Sequence, residues 1–168
     1  MGIWPFARSA ARRDAAAVLE AVQNASRRPA LYGSGRAPDT LEGRFEMLVL
    51  FAALALIRLR NEPGEIAQEF ADRLFRLIDS GLREAGVGDL TVPKRMHKLA
   101  GDFYGRLEAY AKALSADDRG ALEAAIARNA GVSPGFAAEL AAIAAATAGR
   151  QASLSAAQLA HADSWPAA

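Results

Sequence analysis

Few residues in this chain could do chemistry. His97 and His161 are the only histidines among 168 residues and cysteine is absent, which removes disulfides, thiolate metal sites and a cysteine nucleophile. Neither histidine has a second ligand at helical spacing. No HExxH, carboxylate–histidine set or Glu-x-x-His pair occurs, and such sets are what a catalytic zinc or a di-iron centre needs. His97 lies among Lys94, Arg95 and Lys98 and reads as a surface residue. Gly33-Ser34-Gly35 lacks the Gly-Lys-Ser/Thr that completes a phosphate loop. Gly86-Val87-Gly88 follows a helical pattern and lacks the third glycine of a dinucleotide fingerprint. No serine stands in a nucleophile elbow. The acid pairs Glu65/Glu69 and Asp117/Asp118 fall at helix starts, where carboxylates suit the helix dipole. The sequence predicts no enzyme, no metal and no cofactor.

Binding chemistry is better represented, and it concentrates between Gly86 and Arg106. Gly86 can take the left-handed conformation that closes a helix, and Gly88 and Asp89 continue the turn. Thr91 is placed to cap the next helix, with Pro93 in its first turn. Val92, Met96, Leu99, Phe103, Leu107, Tyr110 and Leu114 recur at three- and four-residue steps and share one side. Lys94, Arg95 and Lys98 crowd the first turns of the other. The pattern predicts a helix that lies against a partner. Val92, Leu99, Phe103 and Tyr110 would supply apolar contact, the three cations a charged rim, and Tyr104 and Arg106 the anchor chemistry favoured at interfaces. Gly105 costs about 1 kcal/mol relative to alanine within a helix. It either admits a second helix closely or opens a notch rimmed by Tyr104 and Arg106.

These residues must be positioned by other helices, because no segment alternates like a strand and no fixed-period repeat is present. A first helix is expected over Ser9 to Arg28, stopped by Pro29. A second should run from a capping Asp39, with Glu42 three residues on, to about Arg60. A third spans about Glu65 to Ala85, with Ile66, Phe70, Leu74, Leu77, Ile78 and Leu82 inward. A fifth is capped by Ser115 and ended by Gly131, and a sixth starts at Ser133-Pro134. One more short helix fits near Ser155 to Ala162. Short connections imply antiparallel neighbours. The expected fold is all-α, a single compact bundle of five to seven helices. Its expected parts are an N-terminal tail over 1–14, a helical domain over 15–148 and a loosely packed tail over 149–168. Arg44 is expected to pair with Glu46, Asp89 or another acid and so hold the Gly86–Leu90 turn. Asn129 reads as a cap or a core hydrogen-bonder.

Composition agrees with a helical protein of modest core: 52% of residues are apolar, but many are alanine, which favours helix and adds little burial. The charges nearly balance, 20 basic against 19 acidic, which argues against specific nucleic-acid binding. Their distribution is uneven, with a local excess of four positive charges over residues 1–36 and three over 91–112. A positive surface could face anionic lipid, ribosomal RNA or an acidic partner. Ile3, Trp4 and Phe6, followed by Arg8, Arg12 and Arg13, could dip into a bilayer surface. The start of the chain lacks the continuous apolar core of a secretory signal. The longest apolar run, Met47 to Ile57, is 11 residues, against about 20 for a membrane-spanning helix, and reads as a buried core helix.

One family resemblance gathers these features. Pro38-Asp39-Thr40, Gly43-Arg44-Phe45-Glu46, the run Met47 to Ile57, Arg58-Leu59-Arg60, the segment Gly86 to Arg106 and Ala127-Arg128-Asn129 stand in colinear order. Together they resemble the ubiquinol–cytochrome c chaperone family. The resemblance implies a non-enzymatic assembly factor that helps build cytochrome b into respiratory complex III. It implies as partners unassembled cytochrome b, the ribosome and a helper subunit. The location it implies is cytoplasmic, peripheral on the inner membrane. Client contact would fall on Val92, Lys94, Arg95, Lys98, Leu99, Phe103, Tyr104, Arg106 and Tyr110. Structural support would come from Arg44, Phe45, Gly86, Gly88, Asp89, Gly105 and Asn129. Phe51 departs from the pattern, which often has His there, and so reads as a packing site. The alternative reading, a carrier of a quinone or lipid, requires an enclosed cavity lined by Phe45, Leu48, Phe103 and Tyr110.

Overall fold

The apolar run of the second helix organises the molecule. In the computed structural model, which describes residues 4–165, this helix is α2, Leu41–Leu59, and every residue from Val49 to Leu56 is buried. Around it stand α1 (Trp4–Ser26), α3 (Ile66–Glu84), α4 (Val92–Ser115), α5 (Arg119–Ala130) and α6 (Pro134–Gln151), with a short α7 (Ala156–Leu159). α2 touches α1, α3, α4, α5 and α6. A helix apolar on nearly all sides is what such a central position demands. Among the described residues the one β feature is an isolated bridge between Tyr32 and Ala37. Among them, too, no single helix is long and apolar enough to cross a membrane.

Several helix ends use other caps than expected. Thr40, not Asp39, caps α2, its Oγ accepting from the Gly43 amide at 3.2 Å. Asp39 instead bonds Arg44. α4 runs on through Ser115, and Asp118 caps α5 by accepting from the Ala121 amide at 2.9 Å. Thr91 makes no capping bond. For α2 and α5 a neighbouring oxygen of similar chemistry takes the role, which spacing alone does not resolve. Gly131 ends α5 in the left-handed region and Ser133 caps α6, as the sequence indicates.

The described residues towards each end belong to the fold more than expected. The backbone of Trp4 to Asp14 is the first half of α1, so residues 4–14 are not a separate tail. Ile3 and the side chains of Trp4 and Phe6 lie outside the described set. The C-terminal segment is not loosely packed. Trp165 is 1% exposed, its ring 6.1 Å from Phe51, and its indole Nε1 donates to the Leu159 carbonyl at 2.8 Å. Two arginines strap this segment down through its backbone. Arg28 donates to the Trp165 carbonyl. Arg58 donates to the carbonyls of Gln151 and Leu154 and pairs with Glu62. Arg58→Met should therefore loosen residues 152–165 at a cost of about 2 kcal/mol, because part-buried carbonyls lose a charged donor. Faster amide exchange confined to that segment is the expected readout.

Candidate functional site

The turn before α4 is built as the glycines suggest. Gly86 has φ +82°, and the amides of Gly86 and Val87 return to the carbonyls of Arg83 and Leu82, both at 3.0 Å. This is the paired-bond stop that glycine favours at the end of a helix. The Gly88 carbonyl then receives the Thr91 amide at 2.8 Å and starts α4. Asp89 pairs with Arg83 at 2.5 Å. Arg44, expected to hold this turn, pairs instead with Asp39 at 2.6 Å and lies over the Tyr32 ring. It braces the α1–α2 loop.

α4 divides its expected contact residues between two environments. Val92, Phe103 and Tyr110 are 0–2% exposed. They pack inside the protein and do not offer contact surface. Phe103 meets Phe75 of α3 edge-on at 5.6 Å. Phe45 and Leu48 pack against the core cluster that holds Phe103 and Tyr110, so side chains fill the space a carried ligand would need. Two described clefts lie elsewhere, one between α1 and Trp165 and one between the α4–α5 turn and α6. An apolar stripe of period 3.6 marks a buried face equally well whether the cover is the protein's own core or a partner, and here it is the core.

The outer side of α4 carries Lys94, Arg95, His97 and Lys98, then Gly101, Asp102, Tyr104 and Gly105, all exposed, with Leu99 half-buried. A Cβ at Gly101 or Gly105 would meet nothing within 4 Å. Gly105 therefore admits no second helix. With Gly101 it leaves a shallow notch along which Tyr104, 39% exposed, stands against Phe75 at 5.9 Å. Arg106 is not at the rim. Its guanidinium forms a two-bond fork with Glu46 of α2, at 2.5 and 3.2 Å, and both side chains are at most 20% exposed. Arg60 adds a second tie from the end of α2 to Glu108 at 2.7 Å. Asn129 donates to the Ala125 carbonyl at 2.8 Å, one turn back in α5. Asn129 is thus a half-buried side chain bonded to the backbone of its own helix.

Burial raises the Glu46 carboxyl above its ordinary 4.5 despite the opposing pull of Arg106. A raised acid binds its proton more tightly in the folded state. Its contribution to stability is therefore full below 4.5 and is lost as pH rises through the raised value. Glu46→Gln should remove that fall, flattening the dependence of melting temperature on pH just above 4.5. Parallel slopes for the two proteins would contradict this account.

Sequence reasoning missed Glu46 as the partner of Arg106, Phe75 as the support of Tyr104, and the exposure of Leu90. The acid at the head of an otherwise apolar helix was the available signal for Glu46. Nothing in the periodicity singles out Leu90.

The family model for the ubiquinol-cytochrome C chaperone matches residues 34–166. The crystal structure of the Cbp3 homolog from Brucella abortus is similar to this chain, with 40% sequence identity and a TM-score of 0.80. The likeness covers 97% of this chain and 94% of that one. No curated protein matches.

Proposed function

We propose that this chain, which belongs to the ubiquinol–cytochrome c chaperone family, is an assembly chaperone that shields unassembled cytochrome b while ubiquinol–cytochrome c reductase is built. The observation that carries the reading is the family match across most of the chain. The structure supports it in a specific way. The outer side of α4 presents an exposed aromatic, two open glycines and a cluster of cations on a helix clamped from behind by the Glu46–Arg106 fork. Open glycines let a client helix approach the α4 backbone, Tyr104 offers area at low entropy cost, and Lys94, Arg95 and Lys98 engage polar loops beside it. Contact of this kind is moderate and reversible, as a chaperone that must release its client requires. The protein would work peripherally on the cytoplasmic face of the inner membrane, where its client inserts.

Affinity capture of the protein from cells making cytochrome b is the test. Enrichment of cytochrome b is expected, and Tyr104→Ala should lower it about ten-fold with unchanged melting, as for a moderate interface anchor. Absence of cytochrome b from the captured material would reject the proposal.

A further inference from the structure

The joint between α3 and α4 carries an exposed apolar side chain, Leu90, that client shielding does not use. Leu90 is 99% exposed, the most exposed of the large apolar side chains among the described residues. It sits at the tip of the α3–α4 hairpin, four residues before Lys94. Lys94, Arg95, His97 and Lys98 follow, all exposed. The first turn of α4 contains no acidic residue. Cations there oppose the helix dipole, so the local positive potential is uncompensated from within the helix. The neighbouring acids are mostly engaged: Asp79 and Asp89 both pair with Arg83, and Asp102 pairs with Lys98. Glu84 is exposed on the α3 side. The side chains of Lys94 and Arg95 form no hydrogen bond or ion pair among the described residues.

We propose that the α3–α4 hairpin tip docks on an anionic lipid bilayer, with Leu90 inserted at the headgroup boundary and Lys94 and Arg95 on lipid phosphates. An apolar wedge beside cations matches an interface that is oily beneath and negative above. RNA fits less well. It offers no apolar interior for Leu90, no Phe, Tyr or Trp lies between residues 83 and 98 to stack on bases, and the whole chain carries a net charge of only +1. The docking would set the outer side of α4 close to the membrane plane. It does not rest on client recognition, because the protein and lipid alone suffice to examine it.

The purified full chain is mixed with vesicles of phosphatidylcholine, with or without phosphatidylglycerol, and sedimented. Binding is expected only with the anionic lipid, and it should weaken as salt is raised. Lys94→Ala/Arg95→Ala should weaken binding roughly 25-fold, at about five-fold per cation. Leu90→Asp should weaken it about ten-fold or more. Leu90 and both cations are exposed, so these variants should melt with the parent protein. Failure of the parent to bind anionic vesicles, or full binding by either variant, overturns the proposal. So does a variant-sensitive affinity for polyuridylate in place of vesicles.

Discussion

Gly43→Ala is expected to be among the most damaging single substitutions in the chain. A Cβ at that position would lie 2.0 Å from the Pro38 carbonyl oxygen and 3.0 Å from its carbon. Both are backbone atoms that cannot rotate away, so the loop entering α2 would have to lift from the helix it caps. Overpacking of this severity costs about 3 kcal/mol or more, a fall in melting temperature of roughly 10 °C for a domain of this size. Gly105→Ala is the matched control. It lies on an exposed helix face with nothing within 4 Å, and alanine there should stabilise by up to about 1 kcal/mol. Two glycines of this chain thus have opposite expected effects, and thermal melts of the two variants distinguish them. Equal effects would contradict the close approach of Pro38.

Trp165→Ala is expected to cost about 4 kcal/mol. The indole is 1% exposed, it rests on Phe51, and its Nε1–H serves the Leu159 carbonyl. Its loss leaves a cavity at the centre of the C-terminal strap, where Arg28 and Arg58 hold carbonyls that have no regular helix to satisfy them. Denaturant unfolding measures the loss. Trp165→Phe should recover about half of it by refilling most of the volume without the hydrogen bond. A Trp165→Ala protein as stable as the parent would mean that the strap contributes nothing to the fold.

The helices were legible because their signals are local. Apolar spacing, Gly86 and Gly131 at helix ends, and Pro134 with Ser133 before it each act within a few residues. What depends on distant partners was not legible. Trp165 sits in a small, polar-looking tail, and only its partners Phe51 and Arg28, more than a hundred positions away, show that the tail belongs to the core. Arg44 and Arg106 were both expected to act near the α4 surface. Which acid each chooses follows from how α2 and α4 cross, and it sends Arg44 to Asp39 and Arg106 to Glu46. The apolar stripe of α4 was correctly placed on one side, but a stripe does not name what covers it. Phe103 and Tyr110 face the protein's own α2, α3 and α5, which leaves Tyr104 and the cations as the outward chemistry.

A photoreactive amino acid placed at Tyr104, in cells synthesising cytochrome b, tests the account most directly. Illumination is predicted to yield a covalent adduct with cytochrome b that diminishes once ubiquinol–cytochrome c reductase is assembled, while the same probe at Ala146 on α6 yields none. No adduct at Tyr104, together with normal amounts of the reductase in cells lacking the protein, would contradict the claim that this molecule shelters that client.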